Sequence, residues 1–109
     1  MGTLLPFYAT DDLLPAPLPT PDAIAASQDV LQDYSGRRIV RIGIHFVVKY
    51  GVGVSLTEGQ NMLFVKREST IRIPNVYAVY SETHGEERPP TNYIVIENIA
   101  GDSLESLWG

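Results

Sequence analysis

The chain has 109 residues, of which 44% are apolar, a size and composition that suit one small folded domain. Its formal net charge of −5 argues against nucleic acid or an anionic membrane surface as a main partner, and the absence of cysteine excludes disulfides and thiolate chemistry. No run approaches the roughly 20 apolar residues of a membrane span, and the N-terminus lacks the basic region of a signal peptide, so we expect a cytoplasmic protein. No cluster of metal-ligating residues is visible in the sequence, so we expect no metal site in this chain.

The first 21 residues hold five of the eight prolines and no basic residue. Four of these prolines alternate with other residues between positions 15 and 21, which favours an extended, polyproline-like arm. We therefore divide the chain into a flexible proline-rich arm, residues 1–21, and a folded domain, residues 22–109.

A short helix is predicted to follow the arm, because Thr20 can act as its N-cap and Pro21 suits the first helical position. The Ser-Gly pair at positions 35–36 would end the segment. The apolar stripe of this helix would consist of Ile24, Val30 and Leu31.

Residues 37–50 are predicted to form two strands, Arg38–Ile42 and His45–Tyr50, joined by a turn at Gly43. From Leu56 to about Lys66 the spacing of the apolar residues changes to that of an amphipathic helix.

Two more strands are predicted, Val76–Tyr80 and Tyr93–Ile96, with a polar, turn-rich loop between them. A further helix would begin near residue 102, and its abrupt stop after Trp108 predicts an incomplete chain. Four strands with one helix inserted after the second indicate an α+β fold with a small antiparallel sheet.

The stretch HFVVKYG, residues 45–51, carries a lysine inside an apolar strand. Because strand side chains alternate between faces, Phe46, Val48 and Tyr50 would face the core, while Val47 and Lys49 would line an open cleft. Taken alone, Lys49 is better explained as a solvated residue on an amphipathic strand.

A carboxylate follows in the first turn of the next helix. Glu58 lies three residues after Ser55, which is the capping-box spacing. It could also reach Lys49 and keep the ammonium charged and extended toward a phosphate. The sequence leaves both roles of Glu58 open.

Four segments, RRIVRIGIHFVVKYG, LTEGQNMLFV, IRIPNVYAVY and NYIVIENIAGDSLESLW, occur in an order and spacing that resemble a known family. They resemble the N-terminal lobe of the aminoglycoside phosphotransferase and protein-kinase-like fold, and above all the fungal aminoglycoside phosphotransferase-like proteins. The resemblance covers residues 20–108 approximately and implies a nucleotide-binding lobe that uses ATP, with Mg²⁺ in a complete family member.

The resemblance also implies roles for individual residues. Lys49 would contact the α- and β-phosphates of ATP, and Glu58 would pair with it. Val47 would pack on the adenine, and Ile96 would lie at the back of the adenine pocket. Glu97 and Ile99 would form the hinge, where backbone groups face the adenine edge.

Two departures from the family limit these implications. A glycine-rich loop is absent, and Ser35-Gly36 or Ile42-Gly43 would have to cover the phosphates instead. The catalytic aspartate and the metal ligands belong to the C-terminal lobe in this family, and His84-Gly85-Glu86 comes far too early to replace its H-G-D motif. We therefore expect an N-terminal lobe fragment that is not catalytically competent alone, with no catalytic residue and no metal ligand in this chain.

Two other functions stay open at this point. The chain could be a non-catalytic binding or regulatory module that kept the lobe, or a truncated gene product. A small-molecule acceptor would bind only if a C-terminal lobe were present. We also expect self-association through apolar surface that such a lobe would cover, which would include Leu107 and Trp108.

Overall fold

The computed structural model of the chain describes residues 5–68 and 74–98. Within these ranges it contains six strands and two α-helices, which confirms the predicted α+β class with an antiparallel sheet. The elements in chain order are β1 (Phe7–Tyr8), a one-turn 3₁₀ helix (Asp11–Leu13), α1 (Pro21–Ala26), β2 (Val30–Tyr34), β3 (Arg37–Ile42), β4 (Phe46–Gly51), α2 (Leu56–Glu68), β5 (Val76–Glu82) and β6 (Thr91–Glu97).

The strands form one sheet in the order β1-β5-β6-β4-β3-β2, and every neighbouring pair is antiparallel. Strand β4, which carries the lysine, therefore lies in the interior of the sheet between β3 and β6. Neither helix of the described residues is long and apolar enough to cross a membrane.

The first helix is shorter than predicted. Its start is confirmed, because the Thr20 hydroxyl accepts a hydrogen bond from the backbone N–H of Ala23 at 3.1 Å. The predicted extension of the helix to residue 35 is wrong, because the backbone becomes extended at Ser27. The Ser27 hydroxyl donates to the Arg41 carbonyl at 2.8 Å. The chain then runs alongside β3, so that Val30 pairs with Val40 and belongs to a strand.

The proline-rich segment supplies a further strand that the sequence did not predict. Phe7 and Tyr8 pair with Val79 and Ala78 of β5, at one edge of the sheet. The residues that follow pack on one face of the sheet through partly buried apolar side chains, which are Ala9, Leu14, Ala16 and Leu18.

Both faces of the sheet are covered. The first face carries a cluster beneath α1 and the N-terminal segment, made of Ile24, Val40, Phe46, Val48, Tyr77, Ala78, Tyr93 and Val95. The second face carries a cluster into which α2 packs, made of Ile39, Val47, Val54, Val76, Val79, Ile94 and Ile96. Strand β4 contributes to both clusters, which explains its nearly continuous apolar sequence.

Four tyrosine rings stack across the first face, from the edge strand β1 to the interior strand β4. Ring centroids lie 5.6 Å apart for Tyr8 and Tyr80, 4.8 Å for Tyr80 and Tyr93, and 5.7 Å for Tyr93 and Tyr50. Burial raises the pKa of Tyr80 to about 12 and also raises the pKa of Tyr93, whose hydroxyl donates to Glu82. These rings act as packing residues that join four strands.

Helix α2 contacts the sheet through Gly59. A Cβ at this position would lie 2.8 Å from both γ-carbons of Val79, which is fully buried. Rotation of the Val79 side chain cannot relieve the contact, because both of its methyl groups take part. Glycine therefore sets the close approach of α2 to β5.

We expect Gly59→Ala to lower the free energy of unfolding by about 1–3 kcal/mol through overpacking. In an exposed helix the same substitution would stabilise by about 1 kcal/mol, so the predicted sign is reversed. Urea unfolding measures the difference, with Asn61→Ala on the exposed side of α2 as the control. An increase in stability for Gly59→Ala would show that the helix does not pack this closely.

Candidate functional site

Lys49 lies in the middle of the sheet rather than at an open surface. In the strand register it stands opposite Ile39 of β3 and Ile94 of β6. Only 7% of its surface is exposed, and it is the one buried charged residue of the described part of the chain. The predicted open cleft on this face is therefore wrong, because Val47 and Lys49 are both buried among the residues that α2 covers.

Glu58 provides the charge partner of this lysine. Lys49 Nζ lies 2.8 Å from Glu58 Oε1 and 2.7 Å from Oε2, so both carboxylate oxygens face the ammonium. The Lys49 side chain is 9% exposed and that of Glu58 is 32% exposed. Because burial of a charge without a partner is costly, this predicted ion pair is what allows β4 to carry a lysine at an interior position.

The first turn of α2 settles the two roles that the sequence left open for Glu58. The Ser55 hydroxyl accepts from the backbone N–H of Thr57 at 3.2 Å, and the Ser55 carbonyl accepts from the N–H of Glu58 at 3.1 Å. Ser55 therefore caps the helix, while the Glu58 carboxylate is used in the ion pair rather than in a capping box.

The connection from β4 to α2 is fixed to the neighbouring strand by two side chains that the sequence analysis did not single out. Asn92 Nδ2 donates to the Val54 carbonyl at 2.6 Å, and the Ser81 hydroxyl donates to Asn92 Oδ1 at 2.6 Å. These bonds anchor the loop that leads to Glu58. The sequence does contain a signal for this contact. Asn92 is a polar residue at the position of β6 that alternates with the buried Ile94 and Ile96, so its side chain needs a hydrogen-bond partner.

The register distinguishes the two glycine turns that precede Lys49. The Ser35-Gly36 turn borders the carboxyl end of β4, where the Gly36 carbonyl accepts from the Gly53 N–H at 2.8 Å. β4 ends at Gly51, only two residues after Lys49. The turn at Gly43 lies at the opposite end of the strand, beyond Phe46.

The two side chains expected to contact the adenine, Val47 and Ile96, do not present a surface. Val47 and Ile96 stand opposite each other in the β4–β6 register, and both are fully buried. Glu97 is partly exposed, with its backbone N–H bonded to the Asn75 carbonyl at 2.9 Å and its carboxylate accepting from the Asn75 N–H at 3.1 Å. Ile99 lies outside the described residues, as do Leu107 and Trp108.

No protein-family model, curated protein or solved structure matches this chain. The resemblance to the phosphotransferase and kinase-like family thus depends on the quoted motifs, and the site has to be judged on its own geometry. In residues 5–68 and 74–98, no group of three or more His, Cys, Asp or Glu side chains is placed to hold a metal ion.

Proposed function

We propose that Lys49 and Glu58 form the phosphate-contacting pair of an ATP site, in a domain of the kind that aminoglycoside phosphotransferase-like and protein-kinase-like proteins use as their N-terminal lobe. The observation that carries this proposal is the buried, two-oxygen ion pair between a central strand and the helix that follows it. Protein kinases use such a pair, with the lysine on a strand and the glutamate on the next helix, to hold the phosphates of ATP.

The energetics of buried ion pairs support a functional role for the lysine. Replacing such a pair with apolar residues of similar volume is often neutral or stabilising. If α2 only had to be fixed on the sheet, an apolar pair at positions 49 and 58 would serve equally well. We infer that the lysine is kept for its charge, which a contact with phosphate would use.

The arrangement of the strands gives further support. Apart from the two-residue β1, the lysine-bearing strand is the third in the chain, as it is in protein kinases. The hairpin turn at Ser35-Gly36, which joins the two preceding strands, borders the end of β4 nearest to Lys49. Of the two turns considered, this one is better placed to cover bound phosphates.

The adenine side of the site does not fit equally well. Val47 and Ile96 are fully buried in the cluster on the second face, so a nucleotide base would contact them only if this cluster opened. The proposal is therefore limited to phosphate binding by Lys49, positioned by Glu58. It includes no phosphoryl-transfer step, because in the family that the chain resembles the base, the Mg²⁺ ligands and the acceptor site belong to a C-terminal lobe.

The burial of Val47 and Ile96 favours a second candidate function. In this alternative the chain is a non-catalytic binding or regulatory module, and the ion pair fixes α2 on the sheet without contacting a nucleotide. The two functions differ in what ATP does to the protein, because only the first predicts a binding site that depends on Lys49.

We expect ATP to bind weakly to the wild-type chain and Lys49→Ala to reduce its affinity at least tenfold, because the substitution removes a charge-assisted contact with phosphate. Calorimetric titration with ATP, ADP and adenosine measures this, and adenosine should not respond to the substitution. Arg88→Ala, which removes an exposed loop cation, is the control. If neither the wild type nor Lys49→Ala binds ATP, the second function is supported instead.

A further inference from the structure

Exposed apolar side chains lie beside the part of the second face that α2 covers. Helix α2 packs mainly on β5 and β6, and Val47 and Ile96 on this face are fully buried. Toward the other edge of the sheet, the β2–β3 hairpin and the loop after β4 carry two large exposed residues, Tyr34 and Val52. A base attached to phosphates at Lys49 therefore finds apolar surface on this side of the lysine.

The hairpin turn and the loop after β4 are held together. The Gly36 carbonyl accepts from the Gly53 N–H at 2.8 Å, and Val52 Cγ2 lies 3.8 Å from the position that a Cβ on Gly36 would occupy. Tyr34 comes two residues before Gly36 and is 57% exposed, while Val52 is 53% exposed. An aromatic and an aliphatic side chain therefore border the same turn.

Arg37 supports the tyrosine ring. Its Cζ lies 5.6 Å from the centroid of the Tyr34 ring, and the two residues stand opposite each other in the β2–β3 register. Within the described part of the chain, no carboxylate forms an ion pair with Arg37. The guanidinium steadies the ring, and because more than half of Tyr34 is exposed, the ring can still receive a planar ligand.

The register places this ring close to Lys49. Lys49 stands opposite Ile39 of β3, and Arg37 precedes Ile39 by two residues, so Arg37 and Lys49 share the second face. Diagonal neighbours of this kind lie about 7–8 Å apart. Tyr34 is one strand further on, which adds about 5 Å. The separation suits the distance between the phosphates and the base of one nucleotide.

An exposed tyrosine alone would not indicate a binding site, because single apolar residues are normal on a protein surface. The stacked guanidinium could also serve only to stabilise the hairpin. A nucleobase is favoured by the combination of the ring, the aliphatic neighbour at the same turn and the proposed phosphate contact on the same face. Bases commonly stack on tyrosine rings and on arginine planes.

We propose that a nucleotide held by Lys49 stacks its base on Tyr34, beside Val52. The base does not enter between Val47 and Ile96. This inference rests on the proposed function, because it requires the phosphate contact at Lys49. A stacking ring contacts the face of a base and not its edge, so the site accepts nucleoside triphosphates in general rather than ATP alone.

Calorimetric titration of the full chain with ATP, GTP and inorganic tripolyphosphate, which has no base, tests this inference. We expect Tyr34→Ala to weaken ATP and GTP binding at least about fivefold and to leave tripolyphosphate binding unchanged. Tyr34→Phe should retain the affinity, because it keeps the ring. Tyr8→Ala, the matched control, removes a tyrosine of similar exposure on the first face and should not change the affinity for any of the three probes.

The stacking site and the phosphate contact fail in different ways. Nucleotide binding that is lost in Lys49→Ala but unchanged in Tyr34→Ala would overturn the stacking site and leave the phosphate contact in place. Equal weakening of ATP and tripolyphosphate by Tyr34→Ala would also overturn the stacking site, as would a preference of about tenfold or more for ATP over GTP. A wild-type chain that binds none of the three probes would overturn both proposals.

Discussion

Lys49→Met is expected to lower the free energy of unfolding by about 3 kcal/mol. The substitution leaves the Glu58 carboxylate, with both oxygens directed into the site, without the ammonium that now lies within 2.8 Å of them. Breaking a buried ion pair by removing one partner typically costs about 3–5 kcal/mol. We expect the lower end of this range because about a third of the Glu58 side chain is exposed, so water can partly solvate the carboxylate that is left without its partner.

Two further variants show whether burial is the cause. Arg67→Met breaks the exposed pair with Glu68 on the same helix, and we expect it to cost less than about 1 kcal/mol. Lys49→Met combined with Glu58→Leu removes both charges and should recover most of the lost stability. Urea unfolding of the four proteins supplies the comparison, and equal costs for Lys49→Met and Arg67→Met would contradict the buried pair.

Gly51→Ala is the second substitution with a large expected effect, a loss of about 3–5 kcal/mol. Gly51 has a φ of +145°, a backbone conformation that side-chain-bearing residues rarely adopt. A Cβ there would collide with the Gly36 carbonyl oxygen and would lie 3.1 Å from the Arg37 Cα. Both strain and backbone collision contribute to the loss, because no flexible side chain can move aside.

Gly43→Ala separates these two contributions. Gly43 also has a positive φ, +60°, but nothing lies within 4 Å of its Cβ position. We expect this control to cost about 1 kcal/mol from backbone conformation alone. Thermal or urea unfolding that gave the same loss for both variants would show that the β2–β3 turn does not pack against the end of β4.

The strands that contain alternating or continuous apolar residues could be predicted from the sequence. β3, β4, β5 and β6 lie where their β-branched residues and flanking glycines or prolines place them. The two missed strands are the edge strands. β1 has only two residues, and its pairing with β5 depends on contacts distant in sequence. β2 was mistaken for helix although the Ser35-Gly36 pair after it is a hairpin signal.

The ion pair could be predicted because it depends on local geometry. Lys49 and Glu58 are nine residues apart, and a strand followed directly by a helix brings them together. The burial of the second face could not be predicted in the same way. Whether Val47 and Ile96 face a ligand or a packed cluster depends on how closely α2 approaches the sheet, which Gly59 controls through a contact with Val79.

The most direct test of the central proposal is ATP affinity in the variant that combines Lys49→Met with Glu58→Leu. This variant removes the phosphate-contacting pair, and the expected recovery of stability means that a loss of binding cannot be attributed to unfolding. We predict that the wild-type chain binds ATP and that the double variant, at equal folded concentration, does not. Equal ATP affinity in the two folded proteins would contradict a nucleotide-binding role for Lys49 and Glu58.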